Sequence, residues 1–174
     1  MTNLEDVEAR IAALEARIQE LEDDRGIRDT LSRYGFTADG CKDEDFVDLY
    51  TEDGAIRIAR GKRGGADFAG EGWTEWTDKE GIRTFITHPQ GHHSPRLYGK
   101  SMHLQGNNLV TDIDGDEAVA RSYQVAIAAD ENGVQVLSAG NNTWQMRKVD
   151  GKWLIKERRG AYLGDNMFTS NVDE

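Results

Sequence analysis

The chain has 174 residues, enough for one domain with a real core. Its 32 acidic residues against 21 basic ones give a net charge of −11, which argues against a nucleic-acid partner. No run of about 18 apolar residues marks a membrane span, the N-terminus lacks the apolar core of a signal peptide, and Cys41, the single cysteine, suits a reducing cytoplasm.

Residues 3–24 read as a helix. Leu4, Val7, Ile11, Leu14, Ile18 and Leu21 recur in steps of three and four over three heptads. Arg10 and Arg17 take g positions, five residues before Glu15 and Glu22 at e, an order that permits ion pairs between parallel helices. A stripe two positions wide is narrow for packing on the domain's own core. Residues 1–24 are therefore assigned as an oligomer contact and residues 25–174 as the domain proper, with Gly26 expected to interrupt the helix.

Residues 27–40, IRDTLSRYGFTADG, predict a second helix with Ile27, Leu31, Tyr34 and Ala38 on one face. Tyr34 and Asp39 break its apolar pattern. An ideal helix sets them about 140° apart, so both reach one pocket only at the helix end, where Gly35 and Gly40 thin the wall. A carboxylate there needs a partner, and the expected one is His103 in the strand KSMHLQGNNL.

Residues 43–50, DEDFVDLY, predict a short helix with an acidic first turn. A turn at 51–54 and a strand at 55–59 follow. Residues 60–72, rich in glycine and charge, predict a loop that carries Phe68 and leads to Trp73 and Trp76. Those two rings are placed either to cap a pocket or to join the core. Asp78 is expected to cap a helix through Thr87, with Ile82, Phe85 and Ile86 facing inward. The loop HPQGHHSP at 88–95 holds His88, His92 and His93 without the rigid paired spacing of a zinc site. No metal ligands are assigned, and His92 or His93 is a candidate for a pocket rim.

From residue 100 the turns Asp114-Gly115, Asn132-Gly133 and Asp150-Gly151 predict a meander of strands at 100–112, 117–129, 134–148 and 152–160. Val134, Val136, Ser138, Gly140, Asn142, Trp144 and Met146 alternate onto one face of the third, a candidate cavity lining. Helices first and a curled antiparallel sheet second imply an α+β cone. No nucleotide-binding fingerprint or nucleophile elbow is present.

The segments IRDTLSRYGFTADG, DFVDLYTEDGAI, SMHLQGNNLVTDIDGDEAVARSY and VDGKWLIKERR, in this order, resemble the nuclear-transport-factor-2-like superfamily and its SnoaL-like group over roughly residues 27–162. The resemblance implies a cone-shaped curved antiparallel sheet with packed helices, the heptad helix being an addition. In this superfamily bile acid 7α-dehydratase uses a tyrosine and an aspartate five residues apart with a histidine on a later strand, and Tyr34, Asp39 and His103 match that pattern. Hexachlorocyclohexane dehydrochlorinase uses an Asp–His dyad that Asp39 and His103 also match; scytalone dehydratase works with a related set. Arg158, five residues after Trp153, resembles an arginine of the dehydrochlorinase pocket.

The resemblance thus implies a cofactor-independent lyase of the dehydratase or elimination type, with retro-aldol C–C cleavage as a related option. Tyr34, Asp39 and His103 would be catalytic, and Trp73, Trp76, Asn142, Trp144 and Arg158 would bind a small ring-bearing hydrophobic substrate. A cytoplasmic homo-oligomer, dimer or trimer, without metal or organic cofactor and without membrane contact, is expected. The alternatives are a double-bond isomerase or polyketide cyclase, and a non-catalytic ligand-binding or assembly domain.

Overall fold

The computed structural model describes residues 3–60 and 72–163. The two helices expected at the N-terminus are one: α1 runs unbroken over Leu4–Asp39. Gly26 stays helical because its missing side chain makes room for an indole. A Cβ there would lie 2.9 Å from Trp153 Cδ1. Trp153 Nε1 in turn donates to Asp23 Oδ1 at 2.7 Å, and Lys148 Nζ reaches the same oxygen at 2.5 Å. Burial pushes the Asp23 carboxyl up, but hydrogen bonds from Lys148, Trp153 and Gln19 outweigh it and hold the pKa below its ordinary value.

The second half of α1 buries Ile27, Leu31, Tyr34 and Ala38, the face read from the sequence. The first half buries nothing apolar. Its heptad positions are exposed, from 39% at Val7 to 69% at Leu4. Among the described residues no helix is long and apolar enough to cross a membrane.

After α2 (Asp43–Val47) the chain enters β1 (Tyr50–Ala59). Tyr50, expected to end a helix, opens the strand instead and is fully buried there. The edge strand β2 (Trp73–Thr77) was not expected; it pairs antiparallel with β1, Ala55 opposite Thr77 and Ala59 opposite Trp73. The predicted loop at 60–72, with Phe68, lies outside the described residues between 61 and 71. α3 (Asp78–Ile86) begins where expected, Asp78 Oδ1 accepting the Gly81 N–H at 2.9 Å.

The meander follows as β3 (Ser101–Asp114), β4 (Glu117–Asp130), β5 (Gly133–Val149) and β6 (Lys152–Tyr162). The sheet order is β2-β1-β6-β5-β4-β3, antiparallel except where β1 runs parallel to β6. The sheet is curled and unclosed, and the second half of α1 packs against β3 and β6. One expected face is corrected by a bulge. Ala126 of β4 opposes Ser138, but Ile127 opposes Val136, so β5 carries one extra residue. That slip resets the alternation. Val134 and Val136 are consequently 71% and 66% exposed, while Asn142, Trp144 and Met146 are fully buried.

Candidate active site

The register aligns polar side chains into rungs across the inner face. His103 neighbours Ala126 and then Ser138; Gln105 neighbours Gln124, Gly140 and Tyr162; Ser122 neighbours Asn142 and Gly160; Ala120 neighbours Trp144 and Arg158.

Asp39, the last residue of α1, closes onto β3. Its Oδ2 accepts the His103 backbone N–H at 2.7 Å, and its Oδ1 lies 2.6 Å from His103 Nδ1. A carboxylate can only accept, so the Nδ1 carries the proton and Nε2 presents a lone pair. Among the described residues Nε2 has no hydrogen-bond partner. The backbone and the side chain of one residue thus fix both oxygens of the carboxylate, and the imidazole tautomer with them.

His92 packs beside this pair, its ring centroid 5.0 Å from that of His103 and 5.9 Å from Phe85. Burial first, then the His103 charge, pulls the His92 pKa down to about 3. His92 is therefore neutral at physiological pH. Its Nδ1 is buried without a partner among the described residues.

Tyr34 packs its ring on Phe46 and Trp144 at centroid distances of 5.0 and 5.2 Å. Its hydroxyl oxygen accepts Arg158 Nη1–H at 2.7 Å. A guanidinium only donates, so the phenol keeps its own proton to give. Burial raises the Tyr34 pKa against the opposing pull of Arg158, which keeps the group a donor rather than a base. Arg158 also donates from Nε to Asn142 Oδ1 at 3.0 Å and from Nη2 to Gln124 Oε1 at 2.5 Å. Behind these, Asn142 Nδ2 and Ser122 Oγ both bond Gln105 Oε1 at 3.0 Å, and Trp144 Nε1 bonds Ser122 Oγ at 3.0 Å.

Of the residues read from the sequence, Tyr34, Asn142, Trp144 and Arg158 meet in one network, and Asp39 and His103 pair at the helix end. Trp73 and Trp76 stand apart on β2, half-buried. Trp76 meets Phe85 at 4.9 Å, and Phe85 and His92 stand between it and the dyad. The three loop histidines diverge. His88 Nδ1 accepts the Gln90 N–H at 3.2 Å, His93 Nε2 lies 2.9 Å from Asp43 Oδ1, and His92 turns inward. Among the described residues no group of three His, Cys, Asp or Glu side chains is placed to hold a metal.

Gln105, Ser122 and Gln124 were missed, although the sequence signalled them. The inner positions of β4 read Ala118, Ala120, Ser122, Gln124, Ala126, Ala128, two hydrogen-bonding side chains in an alanine row. A groove of about 760 Å³ lies elsewhere, between α1 and the Lys148–Trp153 region, and contains none of these groups.

The sequence profile of the SnoaL-like domain matches residues 19–159. No curated protein matches the chain in sequence. Among solved structures, a nuclear-transport-factor-2-like protein with a cystatin-like fold from Novosphingobium aromaticivorans is 24% identical, with a TM-score of 0.78 over 100% of this chain and 99% of that one. A protein of unknown function from Mycobacterium tuberculosis is 23% identical, with a TM-score of 0.68 over 90% and 82% of the two chains. A Novosphingobium aromaticivorans protein provisionally described as a scytalone dehydratase is 20% identical, with a TM-score of 0.59 over 82% and 85%. At these identities the likeness is one of fold.

Proposed function

This chain belongs to the SnoaL-like domain family, and on that footing we propose that it is a cofactor-independent lyase acting on a small ring-bearing substrate. The observation that carries the reading is the Asp39–His103 pair, held at 2.6 Å with Nε2 unbonded among the described residues. An imidazole near neutrality accepts a proton and returns it. Asp39 fixes its tautomer and stabilises the imidazolium, as the carboxylate of a catalytic triad does. The similarity in fold to a protein provisionally described as a scytalone dehydratase supports the same chemistry.

The steps balance without a cofactor. His103 Nε2 takes a proton from the carbon next to an activating group, and the electron pair forms the new double bond. The C–O bond to the leaving hydroxyl breaks, and that oxygen departs as water after taking a proton from the Tyr34 hydroxyl or the imidazolium. Tyr34 donates to the departing or developing oxyanion. In a retro-aldol variant His103 takes the hydroxyl proton, the C–C bond breaks to release an aldehyde, and the imidazolium protonates the remaining carbon.

The test uses aryl substrates bearing a β-hydroxyl, with products followed by mass and by deuterium uptake from D₂O. Loss of water or of an aldehyde, abolished in His103→Gln while the circular dichroism is unchanged, is expected. Deuterium exchange with no mass loss would mark the isomerase alternative, and neither would mark a binder.

Assembly is a second proposal. Residues 1–24 pair with the same helix of another copy, in parallel. The exposed seam from Leu4 to Leu21 and the arginines preceding glutamates by five residues support that orientation. Antiparallel pairing would set g against g and e against e, arginine on arginine and glutamate on glutamate.

A further inference from the structure

Arg158 is 4% exposed, yet each acceptor it holds is neutral: the Tyr34 hydroxyl, the Asn142 carbonyl and the Gln124 carbonyl. Among the described residues no carboxylate forms an ion pair with it. The dyad carboxylate of Asp39 is already committed to His103. A buried charge is costly unless it is paired as well as hydrogen-bonded. The faces of Tyr34 and Trp144, with centroids 5.1 and 5.8 Å from the guanidinium carbon, offset part of that cost but supply no counter-charge.

The donor count points the same way. A guanidinium has five N–H groups, and the three bonds above leave two, on Nη1 and Nη2, without an acceptor among the described residues. The Tyr34 hydroxyl proton is also unassigned, because its oxygen is the acceptor in the bond to Arg158. Gln105 Nε2 and the Tyr50 hydroxyl are buried without partners among the described residues. The network therefore carries one positive charge and an excess of donors. What it lacks among the described residues is an acceptor, and an anionic one.

A small space exists for it. A cavity of about 10 Å³ touches Arg158, Gln124, Gly140, Gly160 and Tyr162, room for roughly one water-sized group. Gly160 leaves its side-chain position beside these groups empty. A Cβ on Gly160 would stand 3.3 Å from Arg158 Nη2 and 3.0 Å from Asn142 Oδ1.

We infer that Arg158 is an oxyanion-binding residue, and that the ligand of this cone is an acid or an enolisable carbonyl whose anionic oxygen seats on its free N–H groups. This rests on the reading of the cone as a substrate site, but not on His103 acting as a base. The shared chemistry is one anionic oxygen, present in the ground state as a carboxylate or phenolate or developing in the transition state as an enolate. Charge-assisted hydrogen bonds of this kind are about twice as strong as neutral ones.

The probes are cinnamate and cinnamamide, of nearly one shape, the first an anion and the second neutral, titrated calorimetrically into wild type, Arg158→Met and His103→Gln. Cinnamate should bind wild type at least about tenfold more tightly than the amide, one charge-assisted bond's worth. The preference should survive in His103→Gln and vanish in Arg158→Met, with circular dichroism confirming that both variants fold. Arg158→Lys, a charge without the planar fork, is the second variant if Arg158→Met does not fold, and should weaken cinnamate while leaving the amide unchanged. Equal affinities in wild type, no binding of either probe, or a preference that outlives Arg158 would overturn the inference. An inactive protein with intact cinnamate preference would instead count against the lyase reading alone. Once a substrate is known, a rise in KM with kcat kept in Arg158→Lys marks ground-state charge, and a fall in kcat marks the enolate.

Discussion

Gly35 of α1 and His103 of β3 touch through their backbones: a Cβ on Gly35 would lie 2.6 Å from the His103 carbonyl oxygen. This close approach, one helical turn before Asp39, is what brings the His103 N–H and imidazole to the carboxylate together. On an exposed helix face alanine would be better than glycine by about 1 kcal/mol. Here the sign reverses, since the added atom meets backbone. Gly35→Ala should lose about 1–3 kcal/mol of stability and most of any activity. A variant that melts at or above the wild-type temperature with full turnover would refute the role given to this contact.

Asp39→Asn should be more damaging to chemistry than to fold. The amide oxygen can still accept the His103 backbone N–H, which points the NH₂ group at Nδ1. Nδ1 must then accept, so the proton moves to Nε2 and the base is lost. By analogy with the same change in a catalytic triad, kcat should fall on the order of 10⁴-fold. Nitrogen-15 spectra of the imidazole would show Nε2 protonated at neutral pH; a proton still on Nδ1 would contradict the argument.

How much of this was legible in the sequence depended on whether the signal was local. The stripe Ile27, Leu31, Tyr34, Ala38 and the Asp-Gly and Asn-Gly turns are periodic or near-neighbour features, and the structure has them. The family follows from motif order, and the fold with it. Gly26 misled because its reason lies 127 positions away, in the ring of Trp153. The bulge near Ser138 misled because alternation carries no mark of where one residue is skipped. The sequence offers His92 only as a loop histidine, one of two candidates for a pocket rim; its burial depends on contacts with Phe85 and His103 that no spacing encodes.

His92 makes acid stability a test of that burial. Its pKa of about 3 in the folded protein lies below the unfolded value of about 6.5. Between those values the unfolded chain binds more protons, so stability falls as the pH drops; above about 6.5 the contribution is constant. Replacing His92 with phenylalanine removes the titrating group and keeps an aromatic ring against Phe85. Urea unfolding at pH 7 and pH 5 should show a stability difference smaller in His92→Phe than in wild type by about 2 kcal/mol. Identical pH dependence in the two proteins would mean that His92 titrates in the folded protein as it does in the unfolded chain, and the burial argument would fail.

The heptad seam yields the last prediction. Deleting residues 1–24 is a poor test, because Asp23 holds Trp153 and Lys148 and its loss would destabilise the monomer by itself. Charge reversal is cleaner, since the e and g positions face solvent in the single chain. Parallel pairing sets Arg10 against the partner's e position at 15, and Arg17 against that at 22. A double variant Arg10→Glu, Arg17→Glu places acid against acid, and a double variant Glu15→Arg, Glu22→Arg places base against base. Each alone should associate more weakly than wild type in light scattering, while a mixture of the two should recover the association through cross-pairing. Exposed apolar residues on the outer sheet face, among them Met102, Leu104, Tyr123 and Val136, offer a second contact, so the quantity that decides is the difference between each variant alone and the mixture. If both variants keep the wild-type mass, or if mixing changes nothing, α1 does not pair in parallel with a second copy.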